Sequence, residues 1–244
     1  MTFIYRLYQL LIALPIGLIA TFLTAIITTV GCTLGNAAVW SYYPGRLWSV
    51  FIIRLFLLPV EVEGRENMVE GQSYVFCANH QGAFDIFLIY GFLGRNFKWM
   101  LKQSLRKMPF VGMACEAAGF IFVDNRNVGR MKYMYEKARA TLQGGMSLMV
   151  FPEGRRSETG KMGCYKRGAF MLADELQLPI VPITINGSYD VMRRQNDWHW
   201  VKRHKLRLTI HKPVEPIGQG AENLKYLEEQ SFNATASALD EKYK

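Results

Sequence analysis

Apolar residues dominate the first 58 positions, where the charged residues are three arginines. A membrane-spanning helix needs about 20 apolar residues, and residues 7–30 supply such a run. Residues 37–58 form a second apolar segment, which contains Arg46 and Arg54. Because these arginines would be costly at mid-bilayer, we expect the first helix to insert into the membrane and the second to lie in or near the interface. A cleaved signal peptide is disfavoured, since no small-x-small cleavage site follows the long apolar run.

From Pro59 onward, short apolar runs typical of strands alternate with segments typical of helices. The predicted strands are 60–64, 74–78, 97–101, 119–123, 147–151, 179–185 and 205–210, and the predicted helices begin after Asp85 and span 109–118, 128–143, 168–176 and 222–244. This alternation predicts an α/β fold, with a single domain over residues 59–244 and a largely parallel or mixed sheet flanked by helices. Residues 1–58 would precede it as a two-helix membrane anchor. Sites in such domains lie at the carboxyl ends of the strands.

The first polar segment after a predicted strand is residues 79–85, Asn-His-Gln-Gly-Ala-Phe-Asp. Five residues of one continuous helix would not bring His80 and Asp85 together, so their pairing requires the turn to fold back, which Gly82 permits. The pair suits a histidine general base whose other ring nitrogen is held by a carboxylate. Since no serine or cysteine stands beside it, the activated hydroxyl would belong to a substrate. The alternative is a loop histidine followed by an aspartate that caps the helix.

Two more polar segments follow later strands. Residues 151–157 contain Glu153 and, after a glycine, the adjacent pair Arg155 and Arg156. The fork-shaped donors of an arginine pair suit a phosphate or a carboxylate. A solvated basic loop is the alternative, but Arg126 supplies another arginine after a different strand, at the same predicted edge of the sheet.

The charge of the chain narrows the class of partner. Its 244 residues carry a formal net charge of +9, with an isoelectric point near 9.4. This favours an anionic partner, such as lipid head groups, a phosphorylated substrate, an acidic carrier protein or nucleic acid. Nucleic-acid binding lacks support, because the positive residues lie in separate loops without a binding motif. The four cysteines contain no Cys-x-x-Cys pair, which favours reduced thiols over a zinc site or a disulfide framework.

Taken in order, these segments resemble the four motifs of the glycerolipid acyltransferase family, typified by 1-acylglycerol-3-phosphate acyltransferases. The resemblance rests on Asn79-His80-x4-Asp85 (the NHx4D motif), Gly119-Phe120-Ile121-Phe122-Val123-Asp124, Phe151-Pro152-Glu153-Gly154-x-Arg156-Ser157 and Val181-Pro182-Ile183. It covers about residues 60–215, and the hydrophobic residues before them are similar to the membrane-anchoring part of bacterial members. Each motif alone is weak, whereas four in order with family-like separations are specific.

The resemblance implies a mechanism and a set of site residues. His80 would deprotonate the acceptor hydroxyl, Asp85 would stabilise the resulting imidazolium, and the alkoxide would attack the thioester of acyl-CoA or acyl carrier protein, with no metal and no other cofactor. Asn79 would help to shape the catalytic turn. Lys102 matches a family lysine that could contact phosphate, although an exposed lysine is the alternative. The implied substrate-binding residues are Asn79, Lys102, Arg126, Glu153, Gly154, Arg155 and Arg156.

Two positions depart from the family pattern. The second motif usually ends in Asp-Arg, but Asn125 follows Asp124 here and the arginine is displaced to position 126. A one-residue shift in extended chain turns a side chain to the opposite face. The third motif has Arg155 where the family usually has a threonine. We hypothesise that Arg155 supplies the charge that the altered second motif lost.

The expected function is acylation of the sn-2 hydroxyl of 1-acylglycerol-3-phosphate, giving phosphatidic acid for phospholipid biosynthesis. The expected location is the cell inner membrane, with the catalytic domain on the cytosolic face. One alternative acceptor is a lyso-ornithine or lyso-glycine lipid, whose carboxylate fewer arginines could hold. A second alternative is a non-catalytic membrane protein that binds anionic lipid through its basic face.

Overall fold

The computed structural model describes residues 2–123, 136–142, 144–194 and 200–244. The predicted polar segment 124–126, including Arg126, lies outside the described residues, as does most of the helix predicted at 128–143. The described part of that prediction, residues 136–141, is helical.

The first apolar segment forms one long helical stretch. It consists of α1 (Thr2–Tyr8), a π-helical turn (Gln9–Ala13) and α2 (Leu14–Leu34). The π-turn ends at Ala13, two residues before Pro15, which has no N–H to donate to an ordinary helical hydrogen bond. Among the described residues, Phe3–Leu34 is the one helix long and apolar enough to cross a membrane. In its most apolar stretch of 18 residues, only 11% is buried inside the protein.

The second apolar segment forms α3 (Ala37–Trp40) and α4 (Tyr43–Leu55). The α4 helix packs against a helix of the α/β domain, and its residues Ile52 and Ile53 are buried in the domain core. Its opposite face exposes Leu47 and Phe51. The predicted boundary at residue 58 therefore falls between α4 and the first strand, but the packed core extends across it.

The described residues form a seven-stranded mixed sheet, as predicted. Its strands are β1 (Val60–Glu63), β2 (Val75–Ala78), β3 (Phe97–Lys102), β4 (Ile121–Val123), β5 (Ser147–Val150), β6 (Ile180–Asn186) and β7 (Leu206–Ile210), in the order β1-β7-β6-β2-β5-β3-β4. Neighbouring strands are parallel except β6 and β7, which are antiparallel. The carboxyl ends of the central strands β2 and β5 therefore lie at the same edge of the sheet.

Side chains of successive strand residues divide the core into two layers. On β2, Phe76 and Ala78 face one layer, whereas Val75 and Cys77 face the other. The first layer also holds α4 and α5 (Phe84–Phe92). The second layer holds α7 (Gly168–Leu176) and α9 (Ala221–Ser237), and two shorter helices, α6 (Val111–Ala117) and α8 (Ser188–Val191), follow β3 and β6.

The last predicted helix is shorter than the sequence pattern indicated. It was expected over 222–244, but α9 ends at Ser237. Asn186 of β6 binds the chain just beyond this helix end. Its side-chain amide donates to the Ala238 carbonyl, and its side-chain oxygen accepts the Asp240 N–H. The chain then makes a 3₁₀ turn (Glu241–Tyr243) that buries Tyr243.

Candidate active site

His80 and Asp85 form a direct pair at the carboxyl end of β2. The Nδ1 atom of His80 lies 2.7 Å from Oδ2 of Asp85. Asp85 is fully buried, whereas the His80 side chain is 14% exposed. Because the carboxylate accepts, Nδ1 carries the proton and Nε2 is left with a free lone pair. No described residue hydrogen-bonds to Nε2, so it can take a proton from a bound molecule.

The His80 turn (residues 79–83) folds back onto the first turn of α5. The same Oδ2 atom of Asp85 accepts the backbone N–H groups of Gln81 at 2.7 Å and Gly82 at 2.9 Å. A carboxylate in the first turn of a helix is also stabilised by the helix dipole. These bonds hold the turn in the shape that brings His80 to Asp85.

Gly82 is required for a different reason from the one expected. Its backbone does not adopt a left-handed conformation. Instead, a Cβ atom at position 82 would lie 2.7 Å from Oγ and 2.8 Å from the carbonyl oxygen of Ser188, the first residue of α8. Glycine is therefore needed because the His80 turn approaches α8 closely.

Asn79 fastens the start of the His80 turn to β6. Its side-chain Nδ2 donates to the Ile185 carbonyl at 3.0 Å, and its Oδ1 accepts the Ile185 N–H at 2.7 Å. The residue is almost completely buried. This side chain continues the β2–β6 pairing by one residue, so Asn79 shapes the turn.

Residues 151–166, which follow β5, form a loop that we call the Glu153 loop. The Glu153 side chain joins this loop to the His80 turn. Its Oε1 accepts the His80 N–H at 2.7 Å and its Oε2 accepts the Gly163 N–H at 2.8 Å. A second bond between the two loops runs from the Ser157 N–H to the His80 carbonyl at 2.8 Å. Burial raises the pKa of the Glu153 carboxyl, although the hydrogen bonds from the His80 and Gly163 N–H groups oppose the shift.

Aromatic rings pack against the imidazole of His80. The His80 ring stacks on Phe151 with 3.9 Å between ring centroids and 11° between planes. Phe151 in turn stacks on Trp99 of β3 at 5.8 Å. Sequence reasoning assigned no role to either residue. The available signal was the position of Phe151, an aromatic residue directly at the end of a strand beside the predicted site.

Cationic side chains lie on the Glu153 loop and on the end of β3. Arg155 is exposed and lies 3.7 Å from Oε1 of Glu158, whereas Arg156 is partly buried. Gly154 has a φ of 73°, and a Cβ atom there would lie 2.8 Å from Nζ of Lys166. Lys102 is the exposed last residue of β3, and β3 is the neighbour of β5 in the sheet.

The remaining predicted site residue, Arg126, lies outside the described residues. Within the described ranges, no three His, Cys, Asp or Glu side chains come together as a metal site. The described geometry therefore combines a proton acceptor at Nε2 of His80 with a basic loop that is hydrogen-bonded to it. Such a site can deprotonate a hydroxyl on an anionic molecule.

Comparisons with known proteins point to one family. The acyltransferase family model matches residues 59–186. The 1-acyl-sn-glycerol-3-phosphate acyltransferase alpha of Ovis aries is 36% identical over 173 residues, which are 70% of this chain and 60% of that protein. A chloroplastic relative from Arabidopsis thaliana, 1-acyl-sn-glycerol-3-phosphate acyltransferase LPAT1, is 29% identical over 71% of this chain and 48% of its own length. The chain thus spans about half to three-fifths of these relatives.

A solved structure covers more of the fold. The crystal structure of the 1-acyl-sn-glycerophosphate (LPA) acyltransferase PlsC from Thermotoga maritima has a TM-score of 0.70 and 27% sequence identity. The match covers 93% of this chain and 97% of that one. It therefore includes most of the amino-terminal helical region as well as the α/β domain.

Proposed function

This chain belongs to the glycerolipid acyltransferase family, and from that premise we propose that it acylates the sn-2 hydroxyl of 1-acylglycerol-3-phosphate, giving phosphatidic acid. The observation that carries the proposal is the contact between His80 Nδ1 and the buried Asp85 carboxylate, which leaves Nε2 as the proton acceptor. The catalytic residues are His80 and Asp85.

The proposed reaction uses one histidine twice. Nε2 of His80 takes the proton of the acceptor hydroxyl while the oxygen attacks the thioester carbonyl of the donor. Asp85 stabilises the imidazolium formed. When the tetrahedral intermediate collapses, the C–S bond breaks and the thiolate leaves, taking the proton from His80. The new ester and the free thiol are the two products, and the donor is acyl-CoA or acyl carrier protein.

The proposed acceptor site is the basic Glu153 loop together with the end of β3. Arg155, Arg156 and Lys102 provide positive charge for the phosphate, and Arg126 would add to it. Gly154 and Glu153 shape the loop on which the arginines stand. Because the arginine of the second motif is displaced, a lyso-aminoacyl lipid is the second candidate acceptor.

The apolar helix Phe3–Leu34 supports a membrane location. We place the protein at the cell inner membrane with its site on the cytosolic face, where thioester donors are made. Lipids of that membrane and the lysophospholipid acceptor are its proposed partners.

The test is thiol release by the purified full-length protein in lipid vesicles. Lysophosphatidic acid and acyl-CoA should yield phosphatidic acid by mass spectrometry and one free thiol per ester formed. His80→Ala should abolish both products without reducing vesicle binding. His211→Ala is the matched control, since Nε2 of His211 lies 2.8 Å from the Thr184 hydroxyl and outside the site. Equal activity of wild type and His80→Ala would refute catalysis, and turnover of lyso-ornithine lipid alone would correct the acceptor.

A further inference from the structure

The Glu153 loop is also held by contacts other than the bonds that join it to the His80 turn. These contacts come from α8 and the segments 192–194 and 240–244, none of which belongs to the recognised motifs. Tyr243 is 2% exposed, and its backbone carbonyl accepts the Met162 N–H at 3.0 Å. Met162 immediately precedes Gly163, whose N–H donates to Glu153. The position of Tyr243 therefore bears directly on the partner of the Glu153 carboxylate.

Asp190 of α8 fixes Tyr243 in place. The Tyr243 hydroxyl donates to Oδ2 of Asp190 at 2.7 Å, and the Lys242 ammonium reaches the same oxygen. His204 lies 3.6 Å from it through Nε2. Although partial burial opposes ionisation, hydrogen bonds from Lys242 and Tyr243 hold the pKa of Asp190 below its usual value. Asp190 is therefore a carboxylate at neutral pH and a strong acceptor for the hydroxyl.

Neighbouring side chains contact the tip of the Glu153 loop. The Tyr189 hydroxyl donates to the Glu158 carbonyl at 3.2 Å, and its ring lies so close to Gly160 that a Cβ there would be 2.8 Å from Cδ1. The Arg194 guanidinium donates to the Arg156 carbonyl at 3.1 Å and lies 3.3 Å from Glu158. The backbone of a proposed acceptor-binding arginine is thus fixed by a residue outside the motif.

The same short helix also limits the His80 turn. Ser188, the first residue of α8, makes the close approach to Gly82 described above. Both loops of the active site therefore contact α8 or the three residues that follow it, and α8 is tied to Tyr243 through Asp190. A displacement of α8 would disturb the packing of both loops.

We propose that Asp190 and Tyr243 are positioning residues, which hold the Glu153 loop in the conformation that binds the acceptor. The inference rests on the proposed acyl transfer to a lysophospholipid and adds two residues to it, since neither side chain contacts the reacting atoms. The Tyr243 hydroxyl acts through Met162 and Gly163 on Glu153, and through α8 on the His80 turn.

Tyr243→Phe is the first test variant, because it removes only the hydroxyl that bonds to Asp190. We expect the KM for the acceptor to rise by about three- to tenfold, the range expected for one hydrogen bond, with kcat and the KM for the donor nearly unchanged. Asp190→Asn keeps an acceptor for the hydroxyl but removes the charge, so its effect should be smaller. Amide hydrogen exchange of peptides spanning 157–163 should become faster in Tyr243→Phe.

Tyr74→Phe is the matched control. The Tyr74 hydroxyl is also buried and hydrogen-bonded, at 2.9 Å to the Val69 N–H and 2.9 Å to Oε1 of Gln72, but it lies before the amino end of β2, away from the site. It should lower the melting temperature without changing the acceptor KM or exchange at 157–163.

Two outcomes would overturn the proposal. One is an unchanged acceptor KM and unchanged exchange at 157–163 in Tyr243→Phe. The other is an equal change of both in Tyr74→Phe, which would show that any loss of stability has the same effect. If the wild-type protein acylates no lysophospholipid, the proposed function fails, but the exchange measurement still decides whether Tyr243 orders the Glu153 loop.

Discussion

The Glu153 carboxylate accepts the backbone N–H of His80, the proposed catalytic base, at 2.7 Å, across a separation of 73 residues in the chain. Its other oxygen accepts the Gly163 N–H within its own loop. One buried carboxylate therefore bridges the turn that carries the base and the loop that carries the arginines. This bond makes two motifs, which the sequence shows as separate segments, into one structural unit.

Glu153→Gln should change how stability depends on pH. Because burial raises the pKa of Glu153 in the folded protein, folding favours the protonated carboxyl. The stability from this group is present below the ordinary glutamate pKa and is lost as pH rises through the raised folded value. Glutamine does not ionise, so the unfolding free energy of the variant should improve relative to wild type as pH rises above the ordinary glutamate pKa. Urea unfolding at each pH measures this difference, and the opposite trend would mean that the two N–H bonds outweigh burial.

Asp85→Asn should lower kcat by about 10³- to 10⁴-fold with little change in the acceptor KM. The amide oxygen can still accept the Gln81 and Gly82 N–H groups, so the turn keeps its shape. However, a neutral amide does not stabilise the imidazolium that His80 becomes when it takes the proton, and losses of this size are typical of such dyads. Steady-state thiol release measures the loss of kcat, and a melting curve tests whether the turn keeps its shape. A loss of kcat below tenfold would contradict the proposed role of Asp85.

Gly82→Ala should lower activity by more than about tenfold and destabilise the fold by about 1–3 kcal/mol, because its Cβ meets the backbone of Ser188. Gly168→Ala is the matched control: nothing lies within 4 Å of a Cβ there, and it is the first residue of α7. That change should leave activity intact and stabilise the helix by up to about 1 kcal/mol. Chemical unfolding and thiol release on both variants distinguish steric displacement from a general effect of adding a methyl group.

The local features of the site could be predicted from the sequence. The pairing of His80 with Asp85 depends on a turn of a few residues, and a strand, a glycine and a helix start are visible as a pattern of neighbouring residues. The α/β alternation is local in the same sense, and both the fold class and the family are confirmed. The membrane-interface location of residues 37–58 stays a prediction, while the burial of Ile52 and Ile53 in the core was not foreseen, since an apolar face can bind lipid or protein.

The contacts that were missed join residues far apart in the chain. Asn79 and Glu153 were predicted as substrate-binding residues, but their polar atoms bond to the backbone of Ile185, His80 and Gly163. A polar residue in a motif carries no signal that separates a ligand contact from a backbone contact. The burial of Tyr243 could not be predicted from the sequence either, because it depends on where Asn186 ends the preceding helix.

Arg155 and Arg156 should contribute unequally to acceptor binding. The side chain of Arg155 is 73% exposed, so solvent and salt screen its charge, whereas Arg156 is partly buried and its backbone is held by Arg194. Arg156→Ala should raise the acceptor KM by about tenfold or more. Arg155→Thr, which introduces the usual family residue, should raise it by about two- to threefold, and less at 0.5 M salt.

Combining Arg155→Thr with Asn125→Arg tests the hypothesis that Arg155 compensates for the displaced Arg126. If Arg155 replaces the charge lost from the second motif, Arg155→Thr must weaken binding of lysophosphatidic acid, and Asn125→Arg in the same chain should restore it. Arg126→Ala separates the contribution of position 126 itself. An acceptor KM that does not change in Arg155→Thr at low salt would refute compensation, because an arginine that supplies needed phosphate-binding charge cannot be replaced by a neutral side chain without loss of affinity.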